Sequence, residues 1–112
     1  MRKTEHAEIK LVIDGIAFTW DDKKAAANIR KHGITFEDAA NAFFDEGAVI
    51  RPNSIDDYTG EERFDVIGWV YGNLMFVVYV ERITIDGRDI IRIISARFAT
   101  NREEDIYAYG VD

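Results

Sequence analysis

Three runs rich in β-branched and aromatic residues, at about 62–70, 74–83 and 89–97, are separated only by Tyr71-Gly72-Asn73 and by a short stretch around Ile85-Asp86-Gly87-Arg88. Gaps this short join antiparallel neighbours, because a parallel pair needs a crossover of a dozen residues or more. The second half of the chain therefore reads as an antiparallel meander. That sheet needs an apolar partner, and the first half supplies it.

Residues 7–13 and 16–20 are short apolar or alternating runs around Asp14-Gly15. Asp-Gly suits a two-residue turn with positive φ at both positions, so an N-terminal hairpin opens the domain. Asp21 or Asp22 caps a helix through Lys23 to Ala27 that runs to about His32, and Gly33 is placed to end it in the left-handed region. Thr35-Phe36-Glu37-Asp38 resembles a capping box and opens a second helix to about Phe44, with Phe36, Ala39, Ala40 and Phe43 at helical spacing. After Asp45-Glu46-Gly47 the period becomes extended. Ala48 to Arg51 reads as a short strand stopped by Pro52, and 53–61 as a polar loop. Thr100 caps a short C-terminal helix from Asn101 to about Tyr109. The expected class is α+β, one domain over 1–112, with the helices buried against one side of the sheet.

Composition narrows the function. With 112 residues the chain suits one core, and two tryptophans, five tyrosines and seven phenylalanines argue against disorder. It has no cysteine, which removes disulfides, thiolate metal sites and thiol catalysis. No apolar run approaches the roughly 20 residues of a membrane helix, and Met1 to Lys10 lacks the apolar stretch of a signal peptide. A cytoplasmic location is expected. The net charge of −7 goes against a simple nucleic-acid binder. The charge is uneven, however: acidic clusters sit at Asp56-Asp57, Glu61-Glu62 and Glu103-Glu104-Asp105. Between Arg82 and Arg97 the sign reverses, with Arg88 and Arg92 also in the segment.

His6 and His32 give no metal-ligand spacing, no phosphate-cradling glycine loop is present, and the two serines, Ser54 and Ser95, do not sit on a nucleophile turn. Arginines, carboxylates and His32 remain. RNA can be cut with these alone: the 2′-hydroxyl attacks the adjacent phosphorus and the 5′-oxygen leaves. The reaction asks for a base, an acid and positive charge beside the phosphorane. Arginine's planar fork meets phosphate oxygens two at a time, and histidine titrates near neutral pH.

Three motifs then resemble one family. Trp20-Asp21-Asp22-Lys23-Lys24-Ala25-Ala26-Ala27-Asn28-Ile29-Arg30-Lys31-His32-Gly33-Ile34-Thr35-Phe36 resembles the W-D-x-x-K-A-x-x-N-x-x-K-H-G-[VI]-x-F opening of the BrnT toxins. Gly60-Glu61-Glu62-Arg63-Phe64 resembles that family's G-E-x-R-[FY] element, and Ile91-Arg92-Ile93-Ile94-Ser95-Ala96-Arg97 with Ala99-Thr100 resembles its I-R-[IL]-I-S-A-R-x-A-[TS] strand. The sequence departs from the family in residues 1–15, which lengthen the first strand into a hairpin, and in the acidic run after Asn101.

The resemblance implies a fold like the RelE and ParE toxins and cofactor-free, metal-independent ribonuclease activity that arrests growth. It also implies a BrnA-like antitoxin partner, through which alone operator DNA is engaged. Carried onto this chain, it marks His32 as acid or base, and Arg63 and Arg97 as phosphate-binding and transition-state-stabilising groups. Lys31, Arg82 and Arg92 become RNA contacts, and Glu62 a residue that orients an arginine or takes a proton. In a regular strand Arg92 and Arg97 point to opposite faces, so one site uses both only if the strand is bulged or twisted. A second reading keeps the chain as a non-catalytic domain that pairs with a DNA-binding antitoxin.

Overall fold

In the computed structural model, which describes residues 2–6 and 8–110, the opening hairpin forms as its turn chemistry requires: Asp14 and Gly15 have φ of 47° and 81°. They join β2 (Leu11–Ile13) to β3 (Ile16–Thr19), paired Leu11 to Phe18 and Ile13 to Ile16. The strand is shorter than the run from residue 7 suggests, and Ala7 itself lies outside the described residues. A two-residue strand, β1 (Lys3–Thr4), precedes it. Helix α1 (Asp22–His32) starts where the Asp21 carboxylate accepts the Lys24 N–H at 2.9 Å and ends at Gly33 with φ of 70°. The sequence supplies both caps, and the helix keeps the expected bounds.

The second helix does not run on as one. Thr35 caps a single turn, α2 (Phe36–Ala39), and residues Ala40–Phe44 tighten into a 3₁₀ segment. Close packing accounts for the tight turn. The Ala42 carbonyl lies so near the α-carbon of Gly68 that any side chain there would collide with it. Only glycine lets this segment sit directly on the sheet.

Strand β4 (Val49–Ile55) runs through Pro52 rather than stopping there, so the loop begins at 56 rather than 53. The sheet ends in β4, where a missing N–H costs no ladder bond. The register slips between Pro52 and Ser54, leaving Asn53 as an extra residue. The meander follows as β5 (Glu62–Val70), β6 (Asn73–Ile83) and β7 (Asp89–Phe98), antiparallel throughout. The whole sheet is mixed, with order β2-β3-β7-β6-β5-β4. β3 runs parallel to β7, and β1 runs parallel to β6 beyond the start of β5. Helix α3 (Asn101–Tyr109) has a complete capping box between Thr100 and Glu103.

Helices cover both sides of the sheet, contrary to the one-sided expectation. On one side, α1, α2 and the 3₁₀ segment bury Phe18, Trp20, Phe36, Val66, Val77, Tyr79, Ile93 and Ala96. Trp20 stands edge-on to Phe36 with ring centres 5.9 Å apart, the core anchor its position suggests. On the other side α3 covers one end only, where Ile106 meets Ile67, Leu74 and Phe76. The rest of that side is not apolar, and the arginines lie there.

Candidate nucleic-acid interface

Directly paired residues in a sheet project to the same side, which fixes the layout. Phe76 pairs with Arg97, Val78 with Ser95 and Val80 with Arg92, all on the α3 side. Between Ser95 and Ile93 the register skips Ile94, a β-bulge. That one extra residue reverses the alternation, so Arg92 joins Arg97 instead of opposing it. Asp65 pairs with Val78 and Arg51 with Asp65, and Arg63 lies two residues before Asp65, so all three face the same side. Arg82, two residues after Val80, completes the set.

Each arginine is tethered to a carboxylate. Arg97 donates from both terminal nitrogens to Glu103, at 2.7 and 2.9 Å, and its guanidinium sits 4.2 Å from the centre of the Phe76 ring. Burial by itself would push the Glu103 carboxyl up; the Arg97 fork and the Thr100 N–H outweigh it and hold it below the usual carboxylate range. Arg82 makes a fork to Glu61 at 2.6 and 2.8 Å and reaches Glu5 at 3.1 Å, and Arg92 reaches the same Glu5 carboxylate at 3.3 Å. The Arg82 bonds keep Glu61 low, and Arg63 lies within electrostatic reach of it too. Arg63 binds Asp56 at 3.1 Å, while the Thr59 and Tyr58 N–H groups hold the Asp56 carboxylate down. Arg51 binds Asp65 through Nε at 3.2 Å.

The face thus gathers Arg63, Arg82, Arg92 and Arg97. The other sequence-selected residues lie apart from it. Glu62 alternates with Arg63 and projects toward the opposite side, and the carboxylates that orient arginines are Glu61, Asp56, Glu5 and Glu103. Lys31 and His32 are exposed in the last turn of α1. Their end of the helix is fixed to β7 by Asn28, which is buried. Its amide donates to the Ile34 carbonyl at 3.0 Å and its oxygen accepts the Ala96 N–H at 3.0 Å, on the edge of β7 that β3 leaves open. His32 follows one turn later, about 6 Å along the axis, and the residue after Ala96 is Arg97.

Two tyrosines near the sheet are engaged away from the arginines. Tyr79 is buried on the helix-covered side, where burial, with Glu81 and Asp65 nearby, pushes it up to about 12. Tyr107 donates to Asp45 at 2.7 Å, which raises it. Among the described residues no group of three or more histidine or carboxylate side chains is placed to hold a metal ion. No helix is long and apolar enough to cross a membrane.

Sequence reasoning missed Arg51, Asp65, Glu5 and Glu103. Two had a readable signal. Asp65 is a lone acid in the apolar run Phe64-Asp65-Val66-Ile67, and Thr100-x-x-Glu103 is a capping-box spacing.

Fold and site together define a small α+β protein with a half-covered sheet face that carries an arginine–carboxylate network. The profile of the ribonuclease toxin BrnT, of type II toxin–antitoxin systems, matches residues 20–103, well over half of the chain. The chain belongs to the BrnT family of ribonuclease toxins, and membership implies an antitoxin partner. No curated protein matches it.

Proposed function

We propose that the chain cuts RNA on the arginine face, without metal or cofactor, and that a BrnA-like antitoxin blocks it and carries it to operator DNA. The observation that supports this reading is the bulge at Ile94, which sets Arg92 and Arg97 on the same side as Arg63 and Arg82. Convergent guanidinium groups suit a polyanion's backbone. In this reading a base takes the proton of the 2′-hydroxyl, whose oxygen bonds to phosphorus. The bond from phosphorus to the 5′-oxygen breaks, and an acid returns a proton to that oxygen. The products are a 2′,3′-cyclic phosphate and a 5′-hydroxyl. His32 moves the protons, Arg63 and Arg97 stabilise the phosphorane, and Lys31, Arg82 and Arg92 hold the backbone. The framework fits a RelE/ParE-like toxin, with helices on a small sheet.

One observation favours the second reading, a non-catalytic partner of the antitoxin: Arg63, Arg82, Arg92 and Arg97 are all already paired with carboxylates. Induced expression of the chain alone, against His32→Ala and Arg97→Ala at equal soluble level, separates the two. Growth arrest and RNA loss confined to the native chain support cleavage, and chelator leaves cleavage by the purified protein unchanged. Healthy growth and intact RNA with folded native protein favour the second reading.

A further inference from the structure

The apolar side of a sheet is kept from water only where another element lies on it. Phe43, in the 3₁₀ segment, stands against Phe18 and Tyr79 with ring centres 5.6 and 4.8 Å away. Past Phe43 the sheet is open. Ile16, Ile50, Tyr79, Glu81 and Ile91 line a groove of about 830 Å³ with it. Register puts them on the core side: Ile50 pairs with Val66, and Ile91 with Phe18 and Glu81. Ile55 and Glu62 pair with each other on the same side, just beyond Phe64. Ile16, Ile50 and Ile55 are 39%, 58% and 64% exposed. Apolar surface gathered in one groove and rimmed by charge marks an interaction site, which scattered surface residues do not.

We infer that this groove takes an amphipathic helix of the antitoxin, its apolar stripe on Ile16, Ile50 and Ile91 and its lysines or arginines beside Glu62 and Glu81. The inference rests on the antitoxin that family membership implies, and it holds whether or not the chain cuts RNA. Charge selects the occupant. Arg2 and Arg88 at the groove are paired with Asp89 and Asp86, but Glu62 and Glu81 are exposed and make no hydrogen bond or ion pair among the described residues. A second copy in a two-fold contact would set one acidic groove against another, whereas a basic segment neutralises it. Backbone chemistry selects a helix. The floor is a side-chain face whose ladder bonds run within the sheet. An extended segment would leave its own N–H and C=O groups unpaired there, and a helix satisfies them internally. From β3 to β4 the groove crosses five strands. That is at least about 19 Å, the length of a helix of about 13 residues. The arginines lie on the opposite side, so this contact anchors the antitoxin without touching them.

The test titrates the purified chain with its purified BrnA-like antitoxin by calorimetry. Ile50→Ser and Glu81→Lys, both exposed positions, should each weaken binding about tenfold or more while circular dichroism shows the native fold. Rising salt should shrink the Glu81→Lys loss and spare the Ile50→Ser loss. The methyl resonances of Ile16, Ile50 and Ile91 should shift as antitoxin is added. Native affinity in both folded variants would overturn the inference and leave the antitoxin partner standing. A native chain that binds no antitoxin would overturn the BrnA-like partner as well. A chain that is dimeric alone, and that Ile50→Ser makes monomeric, would give the groove to a second copy and overturn the inference too.

Discussion

The two sides of the sheet are built by the same strands and do opposite work. The side under α1, α2 and the 3₁₀ segment is dry and aromatic, with Phe18, Phe36, Val66 and Val77 fully buried. The side under α3 is apolar at one end and carries five arginines on the rest, Arg51, Arg63, Arg82, Arg92 and Arg97, each against a carboxylate. Period-two alternation lets one strand contribute to both. β5 shows it in four residues: Arg63 and Asp65 go to the charged side, Phe64 and Val66 to the core. The difference teaches that the apolar core and the arginine–carboxylate network are assigned to opposite sides, and that the bulge at Ile94 in β7 sets Arg92 and Arg97 on the same one.

The strongest way to test that assignment is Phe36→Ala, which empties a fully buried ring site against Trp20 and costs about 3–5 kcal/mol in chemical denaturation. Arg92→Ala, on the opposite side, should cost no more than about 1 kcal/mol. Comparable losses from the two would erase the contrast.

Asn28→Ala tests how the His32 end of α1 is held against β7. The change leaves the Ala96 N–H and the Ile34 carbonyl without their partner, a loss of about 2–3 kcal/mol. If Asn28 also fixes His32 beside β7, activity should fall in the folded protein more than the fraction unfolded accounts for. Activity that tracks only the folded fraction would make Asn28 a structural residue alone.

These residues also show what could be read from sequence. The hairpin, α1, the meander and α3 were legible because their determinants are local: Asp14-Gly15, Asp21 with Gly33, the short turns, and Thr100. What was hidden depends on partners distant in the chain. The parallel pairing of β3 with β7 brings together residues 17–19 and 90–92, and nothing local announces it. The bulge at Ile94 exists only relative to β6. The 3₁₀ segment follows from the approach of Ala42 to Gly68. At the site, the arginines were visible as residue types, but the carboxylates that hold them were not. Glu5 reaches Arg92 across 87 positions of sequence.

The smallest effect concerns Glu103, which latches α3 onto β7. It lies 9% exposed, caps α3 and grips Arg97. Its carboxyl is held below the ordinary value of 4.5 because Arg97 and Thr100 outweigh its burial. A lowered value means that the unfolded chain takes up a proton more readily than the folded one. The pair therefore contributes stability above pH 4.5, and that contribution drains away as pH falls through the lower folded value. Glu103→Gln isolates this charge, since glutamine also serves in a capping box. The expected loss is no more than about 1 kcal/mol at neutral pH, because Arg97 is partly solvated. Below pH 4.5 the native and variant curves should converge. Parallel curves down to the acid transition would mean that the charge of Glu103 adds nothing to how α3 is held on the sheet, and that Ile106 and its apolar neighbours do that alone.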